Sequence, residues 1–532
     1  MTAQVVDTSL GPQRGGSGRS RSAVLDWQCV TPPAREGVIV VPQTTERCAN
    51  TGETAPASAR SAAGASRPSR EQRAASGKAA RVRAPLEAHG DFRPPPSRDP
   101  VVLLLSQAKT RVPELVPIRH GRMLVSPFTF YRGAALLMAA DLHATPTSGL
   151  RTQLCGDAHL SNFGAYASPE RRLVFDINDF DETLPGPFDW DVKRLAASFF
   201  IAGRDNGFSK KQCRNITLTT TGSYRTAMRA FAAQTILEVW YAHLDIQDAF
   251  AEFKATLSAR KLKKNNADLK AAETLGAKAR TRDAMQALGK LTTMARGRRR
   301  IISDPPLIVP IDELSGFDTD KLLRQLDSLV AAYYGTLQSD RRRLLDHVAL
   351  TDVAHKVVGV GSVGMRAWIL LLEGGLEAEA LLLQAKQAEV SALADYAGQS
   401  EYVNQGERVV AGQRLMQAHS DICLGWVRGQ SPDGRDEDYY LRQLRDWKMS
   451  AEIETMTPRS MDIYARLCGW TLARAHARSG DRIAIAAYLG NSTKFDNAIT
   501  DFAEAYADQN DKDHATLAAA VATGRVEAQS GV

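Results

Sequence analysis

GDAHLSNFG, Gly156 to Gly164, followed by VFDINDFDE, Val174 to Glu182, decides how this chain is read. Asp157 and Asn162 stand five apart on a loop, and Asp176 ends LVFDI, an apolar run of strand length. Between them SPERR, Ser168 to Arg172, has turn composition, which predicts a β-hairpin carrying carboxylates at its strand end. Hard cations such as Mg²⁺ take oxygen ligands. Phosphoryl transfer needs those ligands on the phosphates and an acid–base group beside the attacking hydroxyl, with little covalent help from the protein.

Working outward, Asp189-Trp190-Asp191 precedes Val192, Leu195, Ala196 and Phe199 at helical spacing, so a buried helix opens beside the loop. Upstream, Ser126 as cap and Pro127 at the first helical position predict one helix of about four turns through FTFYRGAALLMAADLHA. GDAHLSN resembles the GDLHxxN loop of aminoglycoside-phosphotransferase-like kinases. VFDIND resembles their strand ending in the metal-binding Asp, and FDWDVKRLA resembles their following helix. That resemblance implies that Asp157 is the catalytic base or hydroxyl-orienting group and that Asn162 and Asp176 are metal ligands. It implies that Asp191 braces the catalytic loop. Asp179 adds a carboxylate for a second metal, Asp181 is read as a solvent-facing acid of the turn, and His159 as a structural hydrogen-bonding group. Two departures stand out: Cys155 occupies the place of the usual His, and Asp-Ile-Asn replaces Asp-Phe-Gly.

Residues 210 to 350 read as mostly helical, and from about His355 the pattern turns to strands. VGVGSVG carries Gly359, Gly361, Ser362 and Gly364 between two apolar strand-like runs. A dinucleotide-binding turn would open a helix instead. Strand, glycine loop and strand is the form that covers ATP phosphates in kinases, and a plain hairpin is the bland alternative. Lys386 lies on the next strand, where kinases keep the lysine that pairs with the α- and β-phosphates. Glu407 is preferred as its carboxylate partner because GERVVAGQRLM reads as a helix; Glu401 and Glu389 are the alternatives. Kinases run from glycine loop to catalytic loop, and here the loop comes first. Helix 461–478 resembles the kinase helix that leads into the catalytic loop, so joining the end of the chain to its middle restores the kinase order.

The chain has 532 residues with a formal net charge of +7, and residues 1–100 hold 14 Lys/Arg against 9 Asp/Glu, or five of those seven charges. Binding to phosphate backbones needs clustered excess charge, so the nearly balanced remainder weakens the case for a basic face. The run Arg298, Arg299, Arg300 with Arg296 reads as a solvated turn or helix end. Arg119, Arg122 and Arg132 read as helix-surface ion pairs, with contact to substrate or phosphate as the sharper alternative. Six scattered cysteines without a CxxC pair suggest neither a disulfide framework nor zinc. No run reaches the roughly 18 apolar residues of a membrane span, and no secretory leader is evident, so a cytoplasmic location is expected.

From about residue 100 to 515 the chain resembles the bacterial family catalogued as domain of unknown function 2252, through RHGRMLVSPFTFYRG, CGDAHLSNFG, GVGSVG, LLLQAKQA and YYLRQLRDWK. The expected fold is α+β and protein-kinase-like, two-lobed and circularly permuted, with a largely helical C-lobe and a small antiparallel-sheet N-lobe. The expected divisions are a disordered basic arm over 1–98, C-lobe-like residues 99–350, an N-lobe-like sheet over 351–450 and a helical return over 451–525. The expected function is an ATP- and Mg²⁺-dependent phosphotransferase acting on a small-molecule hydroxyl. The other readings are AMP transfer on the same fold, a non-catalytic nucleotide-binding or interaction module, and weak nucleic-acid binding through the arm.

Overall fold

In the computed structural model the first helix (α1, Arg70–Arg83) starts at a capping box, in which Ser69 and Gln72 exchange side-chain and backbone hydrogen bonds. Described are residues 67–95, 97–248, 284–295, 297–314, 319–357, 363–375, 379–430, 434–444, 447 and 449–531. Helix α1 corrects the expectation of a disordered arm over its described part; residues 1–66 lie outside the described residues. Its buried face is Gly77, Ala80 and the following Ala84, laid on the helix Arg482–Leu489 so closely that a Cβ at Gly77 would collide with the carbonyl of Ala484. Arg81 then donates to the carbonyls of Tyr488 and Ala487 at 2.7 and 2.9 Å. A face of small residues carries none of the large apolar periodicity that marks an amphipathic helix, which is why the pattern is invisible in sequence.

Helix α2 (Val116–Met123) leads to α3 (Pro127–Arg132), where Ser126 caps and Pro127 takes the first position as expected. The single four-turn helix does not form. Gly133 closes a tight turn on the carbonyls of Phe130 and Tyr131, and α4 (Ala135–His143) starts anew. The break frees the Gly133 carbonyl, which accepts Arg119 Nη2 at 2.9 Å. Strand β1 (Arg151–Leu154) precedes the loop; β2 (Phe163–Ala167) and β3 (Leu173–Ile177) form the expected antiparallel hairpin; β4 (Leu184–Pro187) returns against β1. Helix α5 (Phe188–Asp205) follows at once, and α6 (Lys210–Ala233) packs on it.

The middle of the chain builds a six-stranded antiparallel sheet. Its strands are β5 (Ile308–Pro310), β6 (Ala349–Lys356), β7 (Ala367–Glu373), β8 (Ala380–Ala388), β9 (Gly425–Gln430) and β10 (Asp436–Gln443), in the order β9-β10-β8-β7-β6-β5. The sheet thus begins at Ile308, before the expected boundary at 351. One face is covered by α7 (Thr319–Gly335), whose Tyr333 shares a core with Val353, Leu370, Leu383 and Leu441. Arg298, Arg299 and Arg300 lie on a strand, Arg298–Ile301, and Arg300 pairs with Asp352 at 2.9 Å and Asp312 at 2.6 Å, so these three are neither a turn nor a helix end; Arg296 lies outside the described residues. Helix α8 (Gln405–Met416), capped by Asn404, leads into β9, and a two-residue strand, Met449–Ser450, joins the β2–β3 hairpin.

After the sheet come α9 (Pro458–Ser479), α10 (Arg482–Leu489) and α11 (Lys494–Ala522). Their Leu472, Tyr488 and Phe502 join Phe199 of α5 and Tyr224 of α6 in one large core beneath the loop. The helical body is therefore assembled from the early and late parts of the chain, and the sheet from its middle. Among the described residues no helix is long and apolar enough to cross a membrane.

Candidate active site

Two helices, α5 and α9, fix the loop that carries Asp157. Asp191, in the first turn of α5, accepts the amides of Cys155 at 2.8 Å and Gly156 at 3.1 Å and meets His476 Nε2 of α9 at 3.2 Å. Gly156 has φ +83°, and a Cβ there would strike the carbonyl of Glu182, so only glycine lets the loop approach the acid turn. Ser198 of α5 accepts the Leu160 amide at 3.0 Å, while Tyr464 of α9 donates to the carbonyls of Leu160 and Phe163. Asp191 thus ties the start of the loop to α5 and α9.

Asp157 is held on one oxygen. Its Oδ1 accepts Arg194 Nε at 2.7 Å and Nη2 at 2.6 Å, while Oδ2 faces His159 Nε2 at 3.6 Å and the carboxylate stays 19% exposed. Arg194 is stacked 4.2 Å from the Tyr131 ring and donates to the Tyr131 carbonyl, so the pair is rigid. Burial disfavours the charge on Arg194, but the Asp157 carboxylate beside it outweighs burial and holds its pKa above the ordinary value. Burial lowers the pKa of His159 to about 4, which keeps the ring neutral. Asn162 donates Nδ2 to the Asp157 carbonyl at 2.9 Å, an orientation that leaves Oδ1 as its oxygen for a cation.

Asp176 has a different surrounding from the one its sequence position implied. It is 2% exposed; Oδ1 accepts Arg474 Nη2 at 2.6 Å and the Ile177 amide, and Oδ2 accepts the Ala418 amide at 3.0 Å. With both oxygens occupied it is an internal counter-ion, and the metal-ligand reading is corrected on that ground. Asp179, three residues on, is 30% exposed and lines the cleft, with Lys386 Nζ 3.8 Å away. Asp181 is no solvent-facing acid. It forms a close ion pair with Lys386 and accepts the Tyr440 hydroxyl at 2.7 Å.

Lys386 on β8 is buried, and burial disfavours its charge, but Asp179 and Asp181 overcome that and raise its pKa. Its carboxylate partners are therefore these two and not Glu407, whose amide is capped by Asn404 in the first turn of α8. What α8 sends across is Arg408, which donates to the carbonyls of Thr183, Asp181 and Glu389 at 2.6, 2.8 and 2.8 Å. Arg408 escaped sequence reasoning because three of its four acceptors are backbone carbonyls, which leave no residue signature. Asp181 was legible only as one acid among several.

Between the hairpin and the sheet lies a cavity of about 630 Å³ with Asp179 and Asn178 on one wall, Lys386 and Arg442 on another, and apolar Val357, Ile422 and Leu444 along its length. Gly359, Gly361 and Ser362 lie outside the described residues. Gly364 has φ +93°, and its carbonyl accepts the Val112 amide at 2.8 Å. The flanking strands β6 and β7 are antiparallel neighbours, as a strand–turn–strand reading requires. Among the described residues no three His, Cys, Asp or Glu side chains converge on a metal-sized site. Mg²⁺ in phosphotransfer sites needs only one or two carboxylates plus phosphate oxygens, and Asn162 and Asp179 fit that smaller requirement.

A family model described as "Uncharacterized protein conserved in bacteria (DUF2252)" matches residues 111–520. No curated protein and no solved structure matches the chain.

Proposed function

The chain belongs to this bacterial family, and we propose that it is an ATP- and Mg²⁺-dependent phosphotransferase with a circularly permuted, two-lobed, protein-kinase-like fold, acting on a small-molecule hydroxyl. One observation carries the reading: a buried lysine from the sheet meets the acids of the loop, Asp179 and Asp181, at one cavity, while Asp157 is held rigidly by Arg194 on the adjoining loop. A cleft lined by Lys386, Arg442 and Asp179 with an apolar wall suits a polyanion carrying an aromatic base. Bound Mg²⁺–ATP would supply the transferable phosphoryl group and neutralise its charge.

The roles of the chain's own residues follow from their surroundings. Lys386, released from Asp181, neutralises phosphate oxygens; Asn162 Oδ1 and Asp179 offer oxygen ligands to the cation; Val357, Ile422 and Leu444 give the base an apolar slot. Asp157 Oδ2, the oxygen not engaged by Arg194, accepts a hydrogen bond from the acceptor hydroxyl and takes its proton as the new O–P bond forms and the bond to ADP breaks.

A thermal-shift titration with ATP and Mg²⁺ tests the premise. At about 100-fold excess over Kd, a ligand stabilises the folded chain by about 2.7 kcal/mol. No shift at millimolar nucleotide would defeat the reading. Label in the γ position of ATP then separates the outcomes: its transfer to an acceptor supports a kinase, transfer from the α position supports AMP transfer, and binding without turnover supports a nucleotide-binding module.

A further inference from the structure

Three arginines near the loop combine buried open donors with the lack of a carboxylate in ion-pair contact among the described residues; Arg474 also leaves Nη1 open, but Asp176 neutralises it. Arg111 precedes α2, Arg119 lies on it, and Arg132 ends α3. Arg111 donates Nη1 to the carbonyl of Val363 beside Gly364, and Arg119 donates Nη2 to Gln107 and to the Gly133 carbonyl, the residue next to Arg132. Yet Arg111 Nε, Arg119 Nε and Nη1, and Arg132 Nε are buried without any hydrogen-bond partner. Arg119 is fully buried, which removes the helix-surface ion pairing expected for it.

Arg408 and Arg98 are better satisfied. Arg408 places Nε, Nη1 and Nη2 on four oxygens, and Arg98 forks onto Asp141 and Asp513. Glu182 and Glu389 are near enough to Arg111 and Arg119 to act on their charge, as Asp157 and Glu454 are for Arg132, but none of these carboxylates forms an ion pair with the three among the described residues. Burial disfavours the charge on all three, and Arg111 further disfavours that on Arg119. A buried guanidinium with open donors is costly, and a carboxylate or phosphate meets its planar fork in a bidentate way.

We propose that Arg132, backed by Arg111 and Arg119, forms a subsite for an oxyanion group on the acceptor, so that the acceptor is an acidic small molecule with a carboxylate or phosphate near its reacting hydroxyl. The word acceptor rests on the phosphotransferase reading; the oxyanion subsite does not. Arg132 is near enough to Asp157 to feel its charge, and none of the three arginines lines the cavity that Lys386 lines, so the anion held here is taken as a second one, distinct from the nucleotide's phosphates.

Inorganic phosphate is the probe, titrated calorimetrically into the full chain loaded with Mg²⁺ and a non-hydrolysable ATP analogue. Phosphate is expected to bind the loaded protein, R132Q to weaken it by about tenfold or more, R132K to recover part of the loss, and nucleotide affinity in R132Q to stay within about twofold. A mapping on the wild-type chain needs no variant: phosphate should protect Arg132 from phenylglyoxal, read by mass spectrometry. Phosphate affinity in R132Q equal to that of the wild-type chain, absence of protection at Arg132, or loss of phosphate binding on nucleotide loading each overturns the proposal. Protection at Arg132 in a protein that fails to bind nucleotide keeps the subsite and removes the transferase reading.

Discussion

Asp157 and Asp176 are both carboxylates beside a buried arginine, and they differ in what the arginine leaves over. Arg194 engages one oxygen of Asp157; Arg474 and two backbone amides engage both oxygens of Asp176. Asp157→Asn keeps the shape and removes the base, so transfer should fall by about 10² to 10⁴ while nucleotide affinity, measured by calorimetry, stays within about threefold. Asp176→Asn leaves the Arg474 guanidinium buried without its counter-charge. Breaking a buried pair this way costs about 3–5 kcal/mol, so urea denaturation should show a large loss of stability. An Asp176→Asn protein of wild-type stability that fails only in Mg²⁺-dependent nucleotide binding would return Asp176 to the metal and refute its role as an internal counter-ion.

At the level of elements, what could be read in advance was set by near neighbours in the chain. Ser126 and Pro127 start a helix, Ser168 to Arg172 turn a hairpin, and β8 carries Lys386, because capping, turn chemistry and apolar runs act within a few residues. The choice between Asp176 and Asp179, and the partner of Lys386, were illegible for the opposite reason. Arg474 is 298 residues from Asp176, and Lys386 is 205 from Asp181, so only the assembled fold decides which acid is neutralised internally and which faces the cleft. Helix α1 was missed because its contact is made by Gly77 and Ala80 and not by large apolar side chains. The same contact makes α1 vulnerable: Gly77→Val drives a branched Cβ into the Ala484 carbonyl, and backbone cannot yield as a side-chain end would. Overpacking of this kind costs about 1–3 kcal/mol. Trypsin should then cut faster at Arg81, which is tied to α10 in the wild-type chain. Unchanged cleavage would mean that α1 does not depend on this approach.

For the whole molecule, the response to acid should be governed by histidines buried as neutral rings. Burial lowers His89, His159 and His355 to about 4 from an ordinary 6.5. Asp189 opposes that shift at His89 and Lys193 reinforces it; at His159, Asp157 and Asp179 oppose it while Arg132 and Arg194 reinforce it. Between pH 6.5 and 4 the unfolded chain binds protons that the folded chain refuses, so stability must fall as pH falls. Above 6.5 neither state is protonated and no penalty exists; below 4 the penalty is complete, at most about 3 kcal/mol for each ring. Glu182 and Asp496 act with the opposite sign, because burial raises their carboxyl pKa values and the folded chain takes up those protons first. The three histidines outweigh them over the upper part of the window. The free energy of unfolding by urea should therefore drop by several kcal/mol from pH 7.5 to pH 5.0. Replacing His89 by Gln should flatten the slope by up to about 1.4 kcal/mol per pH unit, whatever it does to stability at pH 7.5. A wild-type profile that is level across this range would show that the rings do not remain neutral in the folded chain.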